Sequence, residues 1–354
     1  MAVEVPATPR CRIALDAMGG DHAPDEIIQG ALLAVAEYPV ALTLVGREEE
    51  VHAKLKAFAG SVPAHIDVVD AREVVTMEDN ALAPLRKKRN SSIRVCANLV
   101  AEKRADAMVS AGHTGASMTS AYKVLGTIEG VSRPALAAIL PSANGHTVLL
   151  DVGANVDTKP SHLRQFAVMG HFYAQMIFGT ATPRVGLLSI GEEEGKGNEL
   201  TKETFRVLKE TGLNFMGNAE GRDIFNGKAD VVVCDGFIGN VVLKAAESLG
   251  EMISKMLKAE VTKTASRKVG ALMLRGAFDG LRKRMDYSEY GGAPLLGVNG
   301  GCIVCHGRSD AKAIKNAIRV AHDFATNQID AKIRTKISDL HKREHDSAVL
   351  ATDV

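Results

Sequence analysis

The sequence predicts an α/β protein of three layers: a mostly parallel mixed sheet between two layers of helices, with a helical hairpin protruding from it. Three observations carry that expectation. Short apolar runs of Val, Ile, Leu and Ala alternate with helical periods along most of the chain. Aromatic residues make up only 4% of the 354 residues, with no Trp, so aliphatic side chains must fill a layered interior. Polar, glycine-bearing turns recur where apolar runs end: DAMGGDHAP from Asp16, SAGHTGAS from Ser110, DVGANVDTKP from Asp151, CDGFIGN from Cys234 and GVNGGCIVCHGRS from Gly297. In an open parallel sheet the strand carboxyl ends line the ligand crevice. The turns are therefore expected on one edge, around a shared pocket for a small anion.

The elements follow in order. Residues 1–10 hold two prolines and no periodicity, and read as a disordered start. Residues 11–17 form the first strand, and Pro24 suits the first turn of a helix ending near Glu37. A strand over 40–46, a helix over 48–58 and a strand over 66–69 come next. Residues 91–104 read as a helix with Asn90 or Ser91 at its N-cap. A strand over 106–111 then leads into a helix over 114–125. The runs 136–140 and 146–152 flank Pro141 and Asn144-Gly145, which predicts a β-hairpin inserted antiparallel into the sheet. Beyond it lie a helix from Pro160 to about Phe178, a strand over 185–190, the loop GEEEGKGN, and a helix to Glu210. Strands over 231–235 and 303–306 precede a long terminal helix from Asp310 to about Leu340, and 341–354 read as a loose tail. No linker rich in Pro, Gly or Ser appears, so 11–340 reads as one unit of two intertwined lobes sharing a sheet.

Residues 238–286 break the alternation and are helical by period. Ile238, Val241, Val242, Ala245, Leu249, Met252, Ile253 and Met256 recur at steps of three and four. The second half carries Leu272, Leu274 and Phe278 among Lys268, Arg275, Arg282, Lys283 and Arg284. A wide apolar arc with basic flanks suits a helix lying in an anionic lipid interface. A dimer interface or ordinary core helix is the competing reading and the heavier one on composition alone. A hairpin whose tip meets lipid and whose base packs on a second subunit accommodates both.

Net charge is +1, from 43 basic and 42 acidic residues. That balance argues against a nucleic-acid binder. Five cysteines, widely spaced, do not suggest a disulfide framework. Without an apolar leader or a long apolar stretch, the expectation is a cytoplasmic protein, peripheral at most to a membrane.

The turns supply the candidate site. SAGHTGAS places Gly112, His113, Thr114 and Gly115 at a helix start, where free amides and the helix dipole attract anions. A tight turn with a Thr N-cap is the plainer explanation, but His113 favours function. DVGANVDTKP offers Asp151, Asn155 and Lys159 for a carbonyl or a phosphate, or simply an Asx-rich turn. GEEEGKGN has three residues where a Walker A loop has four, and no Ser or Thr after its lysine. An ATP site is excluded there, while Lys196 stays a candidate for one phosphate or an acyl carbonyl. DAMGGDHAP lacks G-x-G-x-x-G but contributes Asp16, Gly19, Gly20 and His22. CDGFIGN adds Asp235 and Asn240, and the last turn Asn299, His306 and Ser309. Cys302-Ile-Val-Cys305-His306 spells a haem attachment, but alternation puts the two thiols on opposite strand faces, and no metal site is expected. No Gly-x-Ser-x-Gly elbow is present, so positioning and charge stabilisation are favoured over a covalent acyl-enzyme.

At DAMGGDHAP, SAGHTGA, DVGANVDTKP and LLGVNGGCIVCHGRS, from about Arg12 to Leu340, the chain resembles the PlsX phosphate acyltransferase family. The resemblance implies a fold like that of the phosphotransacetylases and of the isocitrate and isopropylmalate dehydrogenases. It implies transfer of an acyl group from acyl-acyl carrier protein to inorganic phosphate, giving acyl phosphate at the start of bacterial phospholipid synthesis. It further implies a homodimer, no cofactor, and peripheral attachment to the inner face of the cell membrane through the hairpin at 238–286. On this view His113, Lys196 and Asn155 are the catalytic candidates and the other turn residues bind substrate. A nicotinamide-dependent dehydrogenase on the related fold and a non-catalytic ligand-binding protein are the rival readings.

Overall fold

The computed structural model describes residues 11–278, 280 and 289–352, with backbone alone at 341 and 343–352. The expected start at 1–10 and the basic residues Arg282, Lys283 and Arg284 lie outside the described residues. The strands are β1 (Cys11–Asp16), β2 (Val40–Gly46), β3 (Ile66–Asp70), β4 (Ala107–Ser110), β5 (Ala135–Ser142), β6 (Gly145–Leu150), β7 (Val185–Leu188), β8 (Phe215–Ala219), β9 (Val231–Val233), β10 (Ala293–Leu296) and β11 (Gly301–Val304). They form one sheet in the order β3-β2-β1-β4-β11-β10-β5-β6-β9-β7-β8. The β5–β6 hairpin stands where the sequence put it. β8 and β10 were not anticipated, because Gly217 and Pro294 interrupt runs that are already short.

Strand polarity divides the sheet. β3, β2, β1, β4 and β11 are mutually parallel. β10 runs against both β11 and β5, and β5 against β6. β6, β9, β7 and β8 are again parallel, but with the opposite sense. The expectation of all turns on one edge is therefore corrected. The turns after β1, β4 and β11 leave one edge of the sheet, and those after β6, β7 and β9 leave the other. Twist offsets the reversal. Five neighbour gaps separate β1 from β6. At roughly 20–25° per gap the sheet turns by about 100–125° between them. The helix that follows β9 at the second edge lines one cavity with His306 and Arg308 of the first, so the two sets of carboxyl ends meet on one side of the sheet.

Helices α4 (Ser92–Ala101), α5 (Thr114–Leu125) and α8 (Gly236–Val261) cover that side. Its core runs from Ala14 and Met108 through Leu136 and Leu295 to Val232 and Cys234, without a break between the lobes. Helices α1 (Asp25–Glu37), α2 (Glu48–Ala59), α6 (Pro160–Phe178) and α7 (Glu199–Lys209), with the two C-terminal helices, cover the other side. The C-terminal region is two helices, Ala311–Thr326 and Ile329–Thr352, and not one helix with a loose tail. Gln328, at φ 52°, turns the chain between them.

α8 is joined to the body at its first turn. Gly236 N donates to Asn155 O at 2.7 Å, and a methyl group at Gly239 would overlap the Asp151 carbonyl. These two glycines are the only buried residues of α8, and none of α9 (Ala265–Met273) is buried.

Candidate active site

At the first edge Asp16 is fully buried. Its carboxylate accepts from Ser110 Oγ at 2.7 Å and from Met18 N at 3.1 Å, and also from the Ser92 hydroxyl and the Gly19 amide. Burial pushes its pKa up against those donors. With its acceptors so committed, Asp16 is an anchor and not a ligand for an anion, which corrects its place among the binding residues. Ser110 Oγ accepts in turn from Gly112 N at 3.1 Å. The anchor draws the two turns together: a Cβ on Gly19 would lie 2.7 Å from Gly112 N, so only glycine fits.

Two helix N-termini meet at this anchor. α4 starts at Ser92, which bonds Asp16, and α5 packs on α4 and starts just beyond β4. Ser91 Oγ and Ser117 Oγ are buried beside these starts and have no partner. Convergent amides, two aligned dipoles and unused hydroxyls make this the place best fitted to hold a small anion. His113, not Thr114, is the N-cap of α5; its Nδ1 accepts from Ala116 N at 3.2 Å. The neutral ring therefore carries its proton on Nε2. Thr114 is exposed in the first turn, and Gly115 lets Ala81 approach, since a Cβ there would stand 3.1 Å from that residue's Cβ.

The 305–309 turn closes the first edge. Cys305 N donates to Ser110 O at 2.8 Å, and Asp21 N to Gly307 O at 2.7 Å. Ser309 is buried, and His306 Nδ1 accepts from Arg308 N at 3.2 Å. α8 arrives from the far edge to face this turn. His306 and Arg308, with Lys244, Glu251, Met252 and Met256 of α8, line a solvent-open cavity of about 570 Å³. Gly20, at φ 118°, belongs to the same turn cluster. His22 does not: it turns toward α1 and α2, lining a shallow concavity with Asp25, Glu50 and Lys54.

The second edge repeats the device. Asp151, fully buried, accepts from Leu136 N (3.0 Å), Gly153 N (3.2 Å), Ala154 N (3.0 Å) and Asn155 N (2.7 Å). Burial again raises its pKa. Asn155 spends both amide hydrogens, on Pro134 O at 2.7 Å and Asp151 Oδ2 at 2.9 Å. It has no N–H left for an oxyanion, which corrects the catalytic role expected of it. Asp235 caps α8, accepting from Ile238 N at 2.9 Å, so its carboxylate already occupies that helix start. Asn240 is exposed beside Gly153. Lys159 and Lys196 are exposed on the same edge; they are grouped with Asp151 and not with His113. The neighbouring glutamates are structural: Glu192 pairs with Arg222 and Lys228, and Glu194 with Lys209.

Asn299 is a further correction. It lies at the other end of α5, where its amide donates to Leu125 O at 3.2 Å and Thr127 O at 2.8 Å. Twelve helical residues, about 18 Å, separate it from His113. All five cysteines are free and buried. Cys302 and Cys305 face opposite cores, and burial pushes each thiol up to about 12. Sequence reasoning missed Ser91 and Ser92 as site residues. The Asn-Ser-Ser before α4 was the available signal, read only as a cap.

In the arm, Leu272 and Leu274 are 69% and 56% exposed and Phe278 is half-buried. Among the described residues no helix is long and apolar enough to cross a membrane.

Comparison with known proteins places this geometry. Residues 11–332 match the family model described as "Fatty acid synthesis protein". The chain is 53% identical over 330 residues to a phosphate acyltransferase of Pelotomaculum thermopropionicum, covering 93% of this chain and 96% of that protein. It is 51% identical over 328 residues to one from Geotalea uraniireducens, covering 93% and 94%. In fold it is similar to a phosphotransacetylase from Streptococcus pyogenes, with a TM-score of 0.64 at 18% identity over 90% of this chain and 94% of the other. EutD phosphotransacetylase from Staphylococcus aureus gives 0.61 at 17% identity, over 90% and 95%.

Proposed function

The chain belongs to the phosphate acyltransferase family described as fatty acid synthesis proteins, and from that premise we propose that it moves a fatty acyl group from acyl-acyl carrier protein to inorganic phosphate, making acyl phosphate for phospholipid synthesis. Membership sets aside the dehydrogenase and the non-catalytic ligand-binding readings. The observation that carries the proposal is the meeting of the α4 and α5 N-termini, with the unpartnered Ser91 and Ser117 hydroxyls, beside His113. Phosphate is held there by amides and hydroxyls. The acyl chain lies between α5 and α8, on the side of the sheet whose core holds Leu136, Ala138, Leu140 and Leu295.

In this reading a phosphate oxygen attacks the thioester carbonyl carbon. The tetrahedral oxyanion takes amide donors of the glycine turns, each worth roughly 3 kcal/mol. Its collapse breaks the carbon–sulfur bond, and the leaving thiolate takes the proton that the attacking hydrogen phosphate gives up as it becomes acyl phosphate, while His113 Nε2–H donates a hydrogen bond to the sulfur as its charge develops. Phosphate is itself the nucleophile, so no acyl-enzyme forms. Holding both reactants in register supplies a further 7–11 kcal/mol, roughly. Lys159, Lys196 and Asn240 face the cleft from the second edge and act on charge at longer range. The arm contributes in two ways. Its base packs on a second copy of the chain, and Leu272, Leu274 and Phe278 rest on the anionic inner surface of the membrane.

Incubation with acyl carrier thioester and radiolabelled phosphate tests the reaction. Labelled acyl phosphate is expected, with turnover lost in His113→Ala and largely kept in Lys196→Ala. Absence of labelled product above the enzyme-free background rejects the function. Unchanged turnover in His113→Ala removes that residue from its role at the leaving sulfur.

A further inference from the structure

The segment between β3 and α4 takes no part in the site as described, yet it is built against it. It leaves the first edge after Asp70 and passes over the start of α5, where Ala81 packs against Gly115. It returns to the α4 N-terminus through hydrogen bonds from Ser92 N to Glu73 O (3.2 Å) and from Asn90 N to Glu73 Oε2 (2.7 Å). Between these points lie α3 (Ala83–Arg86) and four consecutive cations, Arg86, Lys87, Lys88 and Arg89.

The four are not equivalent. Lys88 is turned inward, donating to Asp79 Oδ2 at 2.6 Å and to Val74 O at 2.8 Å. That internal ion pair fixes the loop. Arg86, Lys87 and Arg89 are exposed, and no carboxylate among the described residues pairs with any of the three. The acidic residues of the segment are mostly consumed: Glu73 holds Asn90, and Asp79 holds Lys88 and Thr76. A chain of net charge +1 has thus placed three unpaired cations on a braced rim directly above the candidate anion site.

We propose that Arg86, Lys87 and Arg89 form the docking surface for the acidic carrier protein that delivers the acyl thioester. This rests on the function proposed above and adds the place where the carrier lands. Charge complementarity selects the occupant. A flexible acyl-bearing arm must reach His113 from a protein body seated nearby, and this rim belongs to the segment that packs on the start of α5 at Gly115. Charges so placed steer encounter and raise the association rate more than they change chemistry.

The test compares R86E/K87E/R89E with the neutral R86Q/K87Q/R89Q and with the arm variant K268E. Binding of holo-acyl carrier protein is measured by calorimetry at low and high salt, alongside steady-state turnover with phosphate. The charge reversal is expected to weaken carrier binding and raise KM for acyl carrier by about tenfold or more, to flatten the salt dependence, and to leave kcat near the wild-type value. The neutral variant gives a smaller change in the same direction, and K268E gives none. Unchanged carrier binding in the reversal overturns the proposal, as does loss of flotation with phosphatidylglycerol vesicles while carrier binding is kept. Failure of the wild-type enzyme to form acyl phosphate would instead reject the function itself.

Discussion

Phe166 and Met273 are both large apolar side chains on helices, and they end in opposite environments. Phe166, on α6, is fully buried among Leu150, Val231 and Leu163, while Met273, on α9, is 83% exposed. The contrast extends to the whole of each region. The body buries its aliphatic runs on both sides of one sheet. The arm leaves Val241, Leu249, Met252, Ile253, Met256, Val269 and Leu272 in solvent. Its helices are held by local means. Asp235 and Thr264 cap them, and Lys244–Glu247, Lys255–Glu251 and Lys263–Glu260 pair along their surfaces. A helix supported in this way holds its apolar face ready for something other than its own core. The same periodicity of three and four thus encodes a core contact in one region and an uncovered surface in the other.

Substitutions that respect this division should scale with it. Phe166→Ala is expected to cost about 3–5 kcal/mol of stability in urea unfolding; a loss under about 1 kcal/mol would break the claim that the body alone carries the fold. Gly239→Ala tests the joint. Its methyl meets the Asp151 carbonyl and should cost about 1–3 kcal/mol, with a fall in turnover as α8 shifts from the His306 side of the cavity. Wild-type turnover in a stable Gly239→Ala protein would separate α8 from the site.

Acidification divides the two regions more gently. His146, His162 and His171 of the body are held below the usual 6.5, in each case first by burial. Arg133 and Lys159 add to this at His162, and Lys336 at His171. The folded state resists protons that the unfolded chain accepts. Their contribution to stability is complete above pH 6.5 and is lost as pH falls through the depressed folded values. Urea midpoints should therefore drop between about pH 7.5 and about pH 5.5, and His171→Asn should flatten that slope. The described arm has no histidine. The smallest stability effect belongs there: Leu272→Glu with Leu274→Glu should move stability by under about 0.5 kcal/mol while abolishing flotation with anionic vesicles. Undiminished flotation would sharpen the comparison toward a purely protein-covered arm.

Much of the body was legible because each element declared itself locally. β2 and α5 stand at the expected residues, and the β5–β6 hairpin follows from Asn144-Gly145 between two apolar runs. Elements whose signal is weak in isolation were missed: β10 is four residues with a proline, and β8 contains a glycine in an irregular register. The site was legible in part. The glycine turns marked where polar backbone gathers, and His113 stands at the helix start as read. Asp16, Asp151, Asn155 and Asn299 were misassigned because a polar residue at a strand end looks the same whether it serves a ligand or its own backbone. Only the partner atoms distinguish the two, and here they are Ser110, Met18, Leu136, Pro134 and Leu125.

The chain by itself determined the class of fold, the alternation of strand and helix, and the helical arm, since these depend on side-chain period and turn chemistry within a few residues. Tertiary structure decided which turns share an edge, through three successive antiparallel pairings. It also decided which polar groups are already spent. Strand polarity and hydrogen-bond partnership are relations between residues as far apart as Asp16 and Ser110, or Asn299 and Leu125, and no local pattern records them.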